Sequence, residues 1–208
     1  MFIELTDHLR CPVEHDEAYL VLLPDTVERR DVQRGTLGCP ICGRVWLIDG
    51  GVVDFGDAPP SLPTEARLDG PAIAALVGVS GPGGFVALVG SAALGWEEVA
   101  AALPGVAIVA VNADAVASGG PELSLLRAGR LPLKSRALRG VVLGRGYGSD
   151  PRWIDEAMRA VLPGRRVVGE GPVPERPELE VLASAGAWWV GAKTRNSARL
   201  GGAASENR

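Results

Sequence analysis

All three cysteines and both histidines of this 208-residue chain lie within its first 42 residues. The run CPVEH begins at Cys11 and ends at His15, and the run CPICG contains Cys39 and Cys42. Two short turns that each supply a pair of soft or borderline ligands are a common way for a small module to bind zinc tetrahedrally. The clustering therefore predicts a zinc site made of these four residues, in a module too small to fold easily without a staple.

The identity of the fourth zinc ligand is left open by the sequence. His8, three residues before Cys11, is an alternative to His15, and Glu14 stands where the second cysteine of a CxxC pair would be. Four protein ligands leave no open position for water or substrate, so the predicted role of the zinc is structural. A disulfide is disfavoured, because the charged N-terminus MFIELTDHLRCP lacks a signal peptide pattern and a cytoplasmic location is expected.

Charge is unevenly distributed along the chain. The net charge of −4 argues against general nucleic-acid binding, and residues 1–56 contain ten acids and only five bases. Residues 123–149, in contrast, contain six bases and no acid: Arg127, Arg130, Lys134, Arg136, Arg139 and Arg145. The stretch Arg127–Arg145 is interpreted either as a solvated surface or as a patch that faces phosphate or RNA.

No segment is predicted to span a membrane. Residues 70–96 carry no charge, but Pro82 and four glycines interrupt them in VGVSGPGGF. A membrane-spanning helix disfavours such a break, so these residues are interpreted as a short buried helix, a turn and a buried strand. The chain is expected to be soluble.

The order of apolar segments predicts an α/β fold. The run GDAPPSLPTEAR is interpreted as a linker, and helices and short apolar strands alternate after it, as in a parallel sheet. The domain prediction is a small β-rich zinc ribbon (1–56), a proline-rich linker (57–68), a Rossmann-like, mostly parallel sheet with helices on both faces (69–195) and a tail (196–208). Helices are predicted at 69–79, 95–103, 151–162 and 179–185. Strands are predicted at 85–89, 106–111, 123–126, 140–143, 166–169 and 187–192.

The first of two resemblances covers residues 5–56. The segments LRCPVEHDEAYLVL and GTLGCPICGRVWLIDGGVVDFG resemble the zinc-ribbon family of methyltransferase activator subunits, which reads CPxC and then CPxCGRxYPIxDGIP. The chain departs from that family where VEH replaces VxC. Large-subunit rRNA guanine methyltransferases also carry an N-terminal ribbon of this type. The resemblance implies a protein partner, namely a methyltransferase or its complex.

The second resemblance covers residues 65–195. The segments ALVGVSGPGGFVALVG, AGRLPLKSRALRGVVLG and AMRAVLPGRRVVGEG resemble, in order and spacing, motifs of class I S-adenosylmethionine-dependent methyltransferases. The resemblance implies a cofactor loop after the first strand, with Gly90, Ser91, Gly95 and Asn112 as cofactor-binding residues. Asp114 is the alternative to Asn112.

Three carboxylates that this family uses to hold its cofactor are missing. Aligned on Gly90, the acid positions contain Leu88, Asn112 and Arg127, and Ala92 replaces a glycine. Loss of a carboxylate removes a charge-assisted hydrogen bond. The apolar pattern of the strands is kept, so the loss concerns the polar cofactor contacts.

These observations favour a zinc-binding protein with a degenerate methyltransferase-like domain, acting as a non-catalytic binding or regulatory partner. This hypothesis predicts no cofactor affinity and an exposed apolar patch on the ribbon or at a sheet edge. The alternative is an active S-adenosylmethionine-dependent methyltransferase with RNA as the favoured substrate, in which no catalytic residue is assigned. A third hypothesis is a binder of another nucleotide, although GSAALG lacks the middle glycine of such loops.

Overall fold

A computed structural model describes residues 1–60, 68–113 and 123–195. Their strands form one eleven-stranded sheet with the order β1-β2-β3-β4-β7-β6-β5-β8-β9-β11-β10. The strands are β1 (Val21–Glu28), β2 (Asp31–Gly38), β3 (Val45–Asp49), β4 (Val52–Asp54), β5 (Phe85–Val89), β6 (Ala107–Val111), β7 (Leu123–Arg127), β8 (Leu138–Leu143), β9 (Val161–Glu170), β10 (Leu179–Ala185) and β11 (Trp188–Lys193).

The five central strands are parallel. β5 pairs with β6 on one side and with β8 on the other, and β7 and β9 continue the parallel sheet outward. All five residues of β5 are buried, as expected for a strand covered on both faces. The chain reverses its direction of winding between β5 and β8, so the sheet is doubly wound and this point is its topological switch.

Helices cover both faces of the sheet, which confirms the predicted α/β, Rossmann-like fold. α1 (Gly70–Val77) and α2 (Trp96–Ala102) pack on the face that contains Val86 and Leu88. α3 (Pro151–Ala160) packs on the opposite face, against the layer that contains Ala87 and Val89. α1 begins where the Asp69 carboxylate accepts a hydrogen bond from the amide of Ala72 at 2.7 Å.

The N-terminal ribbon is continuous with the parallel sheet. β4 pairs in parallel with β7, with Val52 opposite Leu125. Beyond the strand ends, the Phe55 amide donates to the Arg127 carbonyl at 2.7 Å and the Gly129 amide donates to the Gly56 carbonyl at 3.0 Å. That separate domains end at residue 56 and begin at residue 69 stays a prediction. Residues 61–67 of the predicted linker and the predicted tail 196–208 lie outside the described residues.

The first residues of the chain fill a face of the sheet that would otherwise lack a cover. A 3-10 helix, Ile3–His8, buries Leu5 and the following Leu9 completely. The His8 ring packs edge-on against Phe85 of β5, with 4.9 Å between ring centroids. The connection from β7 to β8, residues 128–137, contains no helix. The N-terminal segment therefore lies where a crossover helix would otherwise pack.

The segment Leu179–Ala185, predicted to be a helix, is strand β10, so that prediction is wrong. It pairs with β11 through a two-residue turn that begins at Gly186, whose φ is +59°. A glycine at the first turn position suits a tight hairpin, and this signal outweighs the weak helical pattern of LEVLASA. On β11 the two tryptophans point to opposite faces, and Trp189 is fully buried.

The uncharged stretch 70–96 forms α1, a turn and β5. No helix in the described part of the chain has the length and apolar character needed to cross a membrane.

Candidate metal centre and cofactor crevice

Four side chains of the ribbon converge on one point. Cys11, His15, Cys39 and Cys42 place one ligand atom each within 4.8 Å of all the others. Cys11 Sγ lies 3.7 Å from Cys42 Sγ, and Cys39 Sγ lies 3.4 Å from His15 Nε2. His8 is on the 3-10 helix against Phe85 instead. The geometry thus gives the four-residue set with His15 in the fourth position.

The local backbone explains why these atoms meet. Gly43 has a φ of +70°, which lets the chain turn back so that its amide donates to the Cys39 carbonyl at 3.0 Å. The amide of Cys11 donates to the carbonyl of Ala18 at 3.1 Å and closes the other turn. His15 Nδ1 lies 2.6 Å from the carbonyl oxygen of Asp16. This contact favours a proton on Nδ1, which leaves the lone pair of Nε2 directed toward Cys39.

A divalent cation binds the deprotonated forms of these groups. Burial disfavours the Cys39 thiolate, but backbone N–H groups of Cys42 and Ile41 stabilise it and lower its pKa to about 7. Burial raises the pKa of the Cys11 thiol to about 12. Hydrogen bonds to the Asp16 carbonyl and to Cys42 raise the pKa of His15. A bound cation would stabilise the thiolates together, so three cysteines and one imidazole fit a tetrahedral zinc.

The predicted cofactor loop follows β5 and is covered by an aromatic ring. Gly90 has a φ of +62°, and a Cβ atom at this position would lie 2.7 Å from Cδ2 of Tyr147. Tyr147 is only 4% exposed and packs edge-on against Trp153, with 4.8 Å between ring centroids. Gly90 is thus needed for a close approach, but the approaching group is a side chain of the same protein.

Ser91 and Gly95 are also engaged within the fold. The loop Gly90–Gly95 forms a 3-10 helix, and α2 begins at the next residue, Trp96. The Ser91 hydroxyl accepts a hydrogen bond from the Arg145 amide at 3.1 Å. The Gly144 amide donates to the Val89 carbonyl at 3.0 Å. The loop after β5 is therefore bonded to the loop after β8.

Asn112 stands at the end of β6, where the resemblance implies a ribose contact, and its side chain is used internally. Its Nδ2 donates to the carbonyl of Ala128 at 2.8 Å, and its Oδ1 accepts from the amide of Ala128 at 2.9 Å. The residue is 2% exposed and has a φ of +55°. Leu88 is fully buried and Arg127 is exposed at the end of β7. Asp114 lies outside the described residues.

The basic residues of Arg127–Arg145 do not form one continuous patch. Arg130 binds the Glu156 carboxylate at 2.8 Å, and Lys134 Nζ donates to the Asp7 carbonyl at 2.9 Å. Arg139 lies near the start of β8, whereas Arg127 lies at the end of β7, so they are at opposite ends of the parallel strands. Arg139 donates hydrogen bonds to backbone carbonyls of residues 80–83. Those three cations hold the fold together.

Two surface features were not assigned to particular residues from the sequence. One is an apolar outer face on the ribbon, and the other is a cleft lined by Trp46, Phe55 and Trp153. In the run VWLID the apolar residues at odd and even positions face opposite sides of β3, which is the sequence signal for two apolar faces. Asp150, before α3, caps that helix by accepting a hydrogen bond from the Arg152 amide at 2.8 Å.

Comparisons with known proteins give distant structural neighbours. No family model and no curated protein matches this sequence. The antibiotic-resistance methyltransferase Kmr is 14% identical over 62% of this chain and 95% of its own, with a TM-score of 0.43. A putative O-methyltransferase from Klebsiella pneumoniae is 15% identical over 64% of this chain and 84% of its own, with a TM-score of 0.45.

A third neighbour is a complex between the Haloferax volcanii Trm112 methyltransferase activator and the putative methyltransferase. It is 19% identical over 48% of this chain and 50% of the matched chain, with a TM-score of 0.39. All three TM-scores are below 0.5, so none of these neighbours determines what this chain binds.

Proposed function

We propose that this chain is a non-catalytic binding or regulatory protein, built from a structural zinc ribbon and a methyltransferase-like sheet that no longer holds S-adenosylmethionine. The observation that carries the proposal is the ring of Tyr147 on Gly90. A glycine with positive φ at the switch point of a doubly wound sheet is where a cofactor backbone contact would be made. Here that surface is the partner of a buried aromatic residue.

The other cofactor positions support the same proposal. Asn112 already makes two hydrogen bonds to Ala128, and Ser91 already accepts one from Arg145. A cofactor would have to displace these bonds, and each buried group left unpaired costs about 1–3 kcal/mol. The carboxylates that would repay that cost are replaced by Leu88 and Arg127. These residues do not fit the cofactor contacts that the resemblance implies.

The zinc in this proposal is structural. Cys11 and Cys39 are buried and belong to the same apolar core as Leu5 and Leu9. Four protein ligands leave no open coordination position for chemistry. The metal therefore holds the ribbon in the shape that docks on the sheet and does not act on a substrate.

The binding surface we assign is the outer face of the ribbon. Val21 and Leu23 of β1, Thr36 of β2, and Val45 and Leu47 of β3 lie in two adjacent cross-strand rows. Leu23 and Leu47, in the same cross-strand row on either side of Thr36, are 65% and 70% exposed. A contiguous exposed apolar patch is typical of a protein-binding site. An exposed apolar patch was expected on the ribbon or at a sheet edge, and this face agrees with that expectation.

The partner that fits best is a methyltransferase or its complex. This partner class rests on the resemblance of residues 5–56 to activator subunits. The ribbon edge at β4 is already paired with β7 of the same chain, so this edge is closed to an external partner. Because the ribbon carries an excess of acids, the partner surface is expected to be apolar with a basic rim.

The cofactor part of the proposal is tested by calorimetry with S-adenosylhomocysteine on the zinc-loaded full chain. We expect no heat of binding at millimolar ligand for the wild type. Tyr147→Ala removes the ring from Gly90, and Tyr19→Ala is a matched control because Tyr19 is the other tyrosine and is 60% exposed. Micromolar binding to the wild type would overturn the proposal in favour of an active methyltransferase, with RNA as the first acceptor to test.

The docking face is tested by placing a photo-crosslinking residue at position 47, and separately at position 181 as a control. Val181 is 46% exposed but lies on β10, at the far edge of the sheet. We expect a methyltransferase to be crosslinked from position 47 only, and the product to disappear when Leu23→Lys is added. Equal products from both positions would contradict the assignment of this face.

A further inference from the structure

A cleft of about 620 Å³ lies between the ribbon and α3, away from Gly90. The ribbon contributes Trp46, the segments after β4 and β7 contribute Phe55 and Gly129, and α3 contributes Trp153. This volume lies in the range of small-molecule sites, about 300–1,000 Å³. Trp46 and Phe55 pack with 5.3 Å between ring centroids, so one wall is a rigid aromatic surface.

Arginines line the same cleft, and they divide into two kinds. Arg130 and Arg159 are held by the buried carboxylate of Glu156, at 2.8 Å and 2.6 Å. Arg130 also donates to the Pro12 carbonyl, and Arg159 to the Leu131 carbonyl. These two guanidinium groups are consumed in joining the ribbon to α3.

Arg44 and Arg152 are exposed and line the cleft from different elements, one from the ribbon and one from the first turn of α3. The Arg152 side chain is 91% exposed, and its ion pair with Asp150 is long at 3.6 Å. An exposed guanidinium with unsatisfied N–H groups binds phosphate in a bidentate manner. The lining therefore combines two exposed guanidinium groups with aromatic rings, and two of its acids, Glu156 and Asp155, are held by Arg130 and Arg176 at 2.8 Å and 2.7 Å.

We propose that this cleft binds a nucleotide, with the base against the aromatic wall and the phosphate between Arg44 and Arg152. Base–aromatic contacts favour any base and contribute about 1–3 kcal/mol each. Asp57 also lines the cleft, and a carboxylate accepts hydrogen bonds from exocyclic amino groups. The nucleotides favoured are therefore those with amino groups, and uridine nucleotides are disfavoured.

This site is not the one considered in the nucleotide hypothesis, which concerned the GSAALG loop. It lies at the junction of the ribbon and α3. It does not depend on the absence of S-adenosylmethionine binding. The same chemistry is offered by a free mononucleotide and by a nucleotide at the end of a single-stranded RNA. The two sources are distinguished by comparing GMP with a 5′-phosphorylated RNA pentamer.

The test is calorimetry of the zinc-loaded full chain with GMP, guanosine, UMP, inorganic phosphate and the pentamer. We expect saturable binding of GMP, with guanosine, UMP and phosphate each weaker by about tenfold or more. Arg44→Ala and Arg152→Ala should each lower the affinity for GMP by about tenfold, which is the effect expected from the loss of one charge-assisted hydrogen bond. Arg34→Ala is the matched control, because Arg34 is an exposed arginine of the ribbon on β2 and outside the cleft lining.

Stronger binding of the pentamer than of GMP, with the same sensitivity to Arg44→Ala, would identify RNA as the source of the nucleotide. The proposal is overturned if neither GMP nor the pentamer binds. It is also overturned if binding is unchanged in both Arg44→Ala and Arg152→Ala. Circular dichroism of each variant confirms that a lost affinity is not a lost fold.

Discussion

The Cys/His cluster of the ribbon and the crevice at Gly90 belong to one continuous sheet. The two places differ in what surrounds the residues that would contact a ligand. In the ribbon, four ligand atoms lie within 4.8 Å of each other. At the crevice the backbone conformation of Gly90 is kept, but Tyr147 covers it. Under the proposed function, the crevice has the backbone shape of a cofactor site while its contacts are made within the chain.

The reassigned contacts have a common character. Ser91, Asn112 and Tyr147 all pack against or bond to segments that follow the carboxyl ends of neighbouring parallel strands. In a doubly wound sheet this edge is where ligands bind, and it is also where loops can close on each other. We infer that this edge now contributes to stability, and the ribbon contributes the surface for partners.

The largest effect is expected from deleting residues 1–56, which tests whether the two regions are separable at all. Leu5 and Leu9 fill one face of the sheet and β4 covers the edge of β7. Their loss should leave residues 57–208 without a cooperative thermal transition, because the whole stability of a domain is only about 5–15 kcal/mol. A chain ending at Arg195 is the control. Cooperative unfolding of the 57–208 fragment would show that the ribbon is an independent module.

The next largest effect concerns the two histidines, of which the sequence predicted His15 as the ligand and left His8 as an alternative. His15→Ala removes a ligand atom and should weaken zinc affinity by more than about 100-fold, since loss of an outer-shell partner alone costs 10–100-fold. His8→Ala removes a contact with Phe85 and should leave one zinc per chain. Zinc content by mass spectrometry separates the two. Loss of zinc in His8→Ala with retention in His15→Ala would refute the site.

A third prediction addresses Asn112 directly. Asn112→Ala leaves the amide and carbonyl of Ala128 unpaired, which should destabilise the protein by about 2–4 kcal/mol. Asn112→Gly is the companion variant, because glycine tolerates the φ of +55° and isolates the hydrogen bonds from backbone strain. Urea unfolding measures both. If both variants keep wild-type stability, Asn112 is not structural and a ligand contact becomes the better account of it.

The smallest effect is expected at Glu17, which links the ribbon to the β7–β8 connection. Burial opposes ionisation of its carboxylate, but hydrogen bonds from Ser135 and the charge of Arg159 outweigh this and lower its pKa below 4.5. A lowered pKa stabilises the folded state above the unfolded pKa, and this contribution is lost as pH falls through the folded pKa.

Glu17→Gln should therefore reduce stability at pH 7 by less than about 1 kcal/mol, since the group is partly exposed and screened. The difference from wild type should vanish at acidic pH. Glu14→Gln, an exposed acid of the same turn, is the control. A difference that grows as the pH is lowered would show that the sign of the pKa shift is wrong.

Much of this architecture follows from patterns that are local in the sequence. The spacing of Cys11, Cys39 and Cys42 predicts the metal cluster, and the apolar runs at β5 and β6 predict the buried parallel strands. Strand β10 was predicted to be a helix because a seven-residue, mainly apolar segment fits either period. The turn at Gly186 was the signal that decides between them.

The rest depends on contacts between distant residues. The pairing of β4 with β7, the filling of the β7–β8 face by Leu5 and Leu9, and the ring of Tyr147 on Gly90 each join segments more than 50 residues apart. No local pattern encodes which glycine a tyrosine will cover. For the same reason, the missing carboxylates at Leu88 and Arg127 indicated a degenerate site but not what occupies it.

The most direct test of the central claim is native mass spectrometry of the full chain in the presence of S-adenosylhomocysteine, since one spectrum reports on both regions. We predict a single species with one zinc per chain and no S-adenosylhomocysteine. A species that carries S-adenosylhomocysteine would contradict the closed crevice, and a metal-free folded chain would contradict the structural zinc.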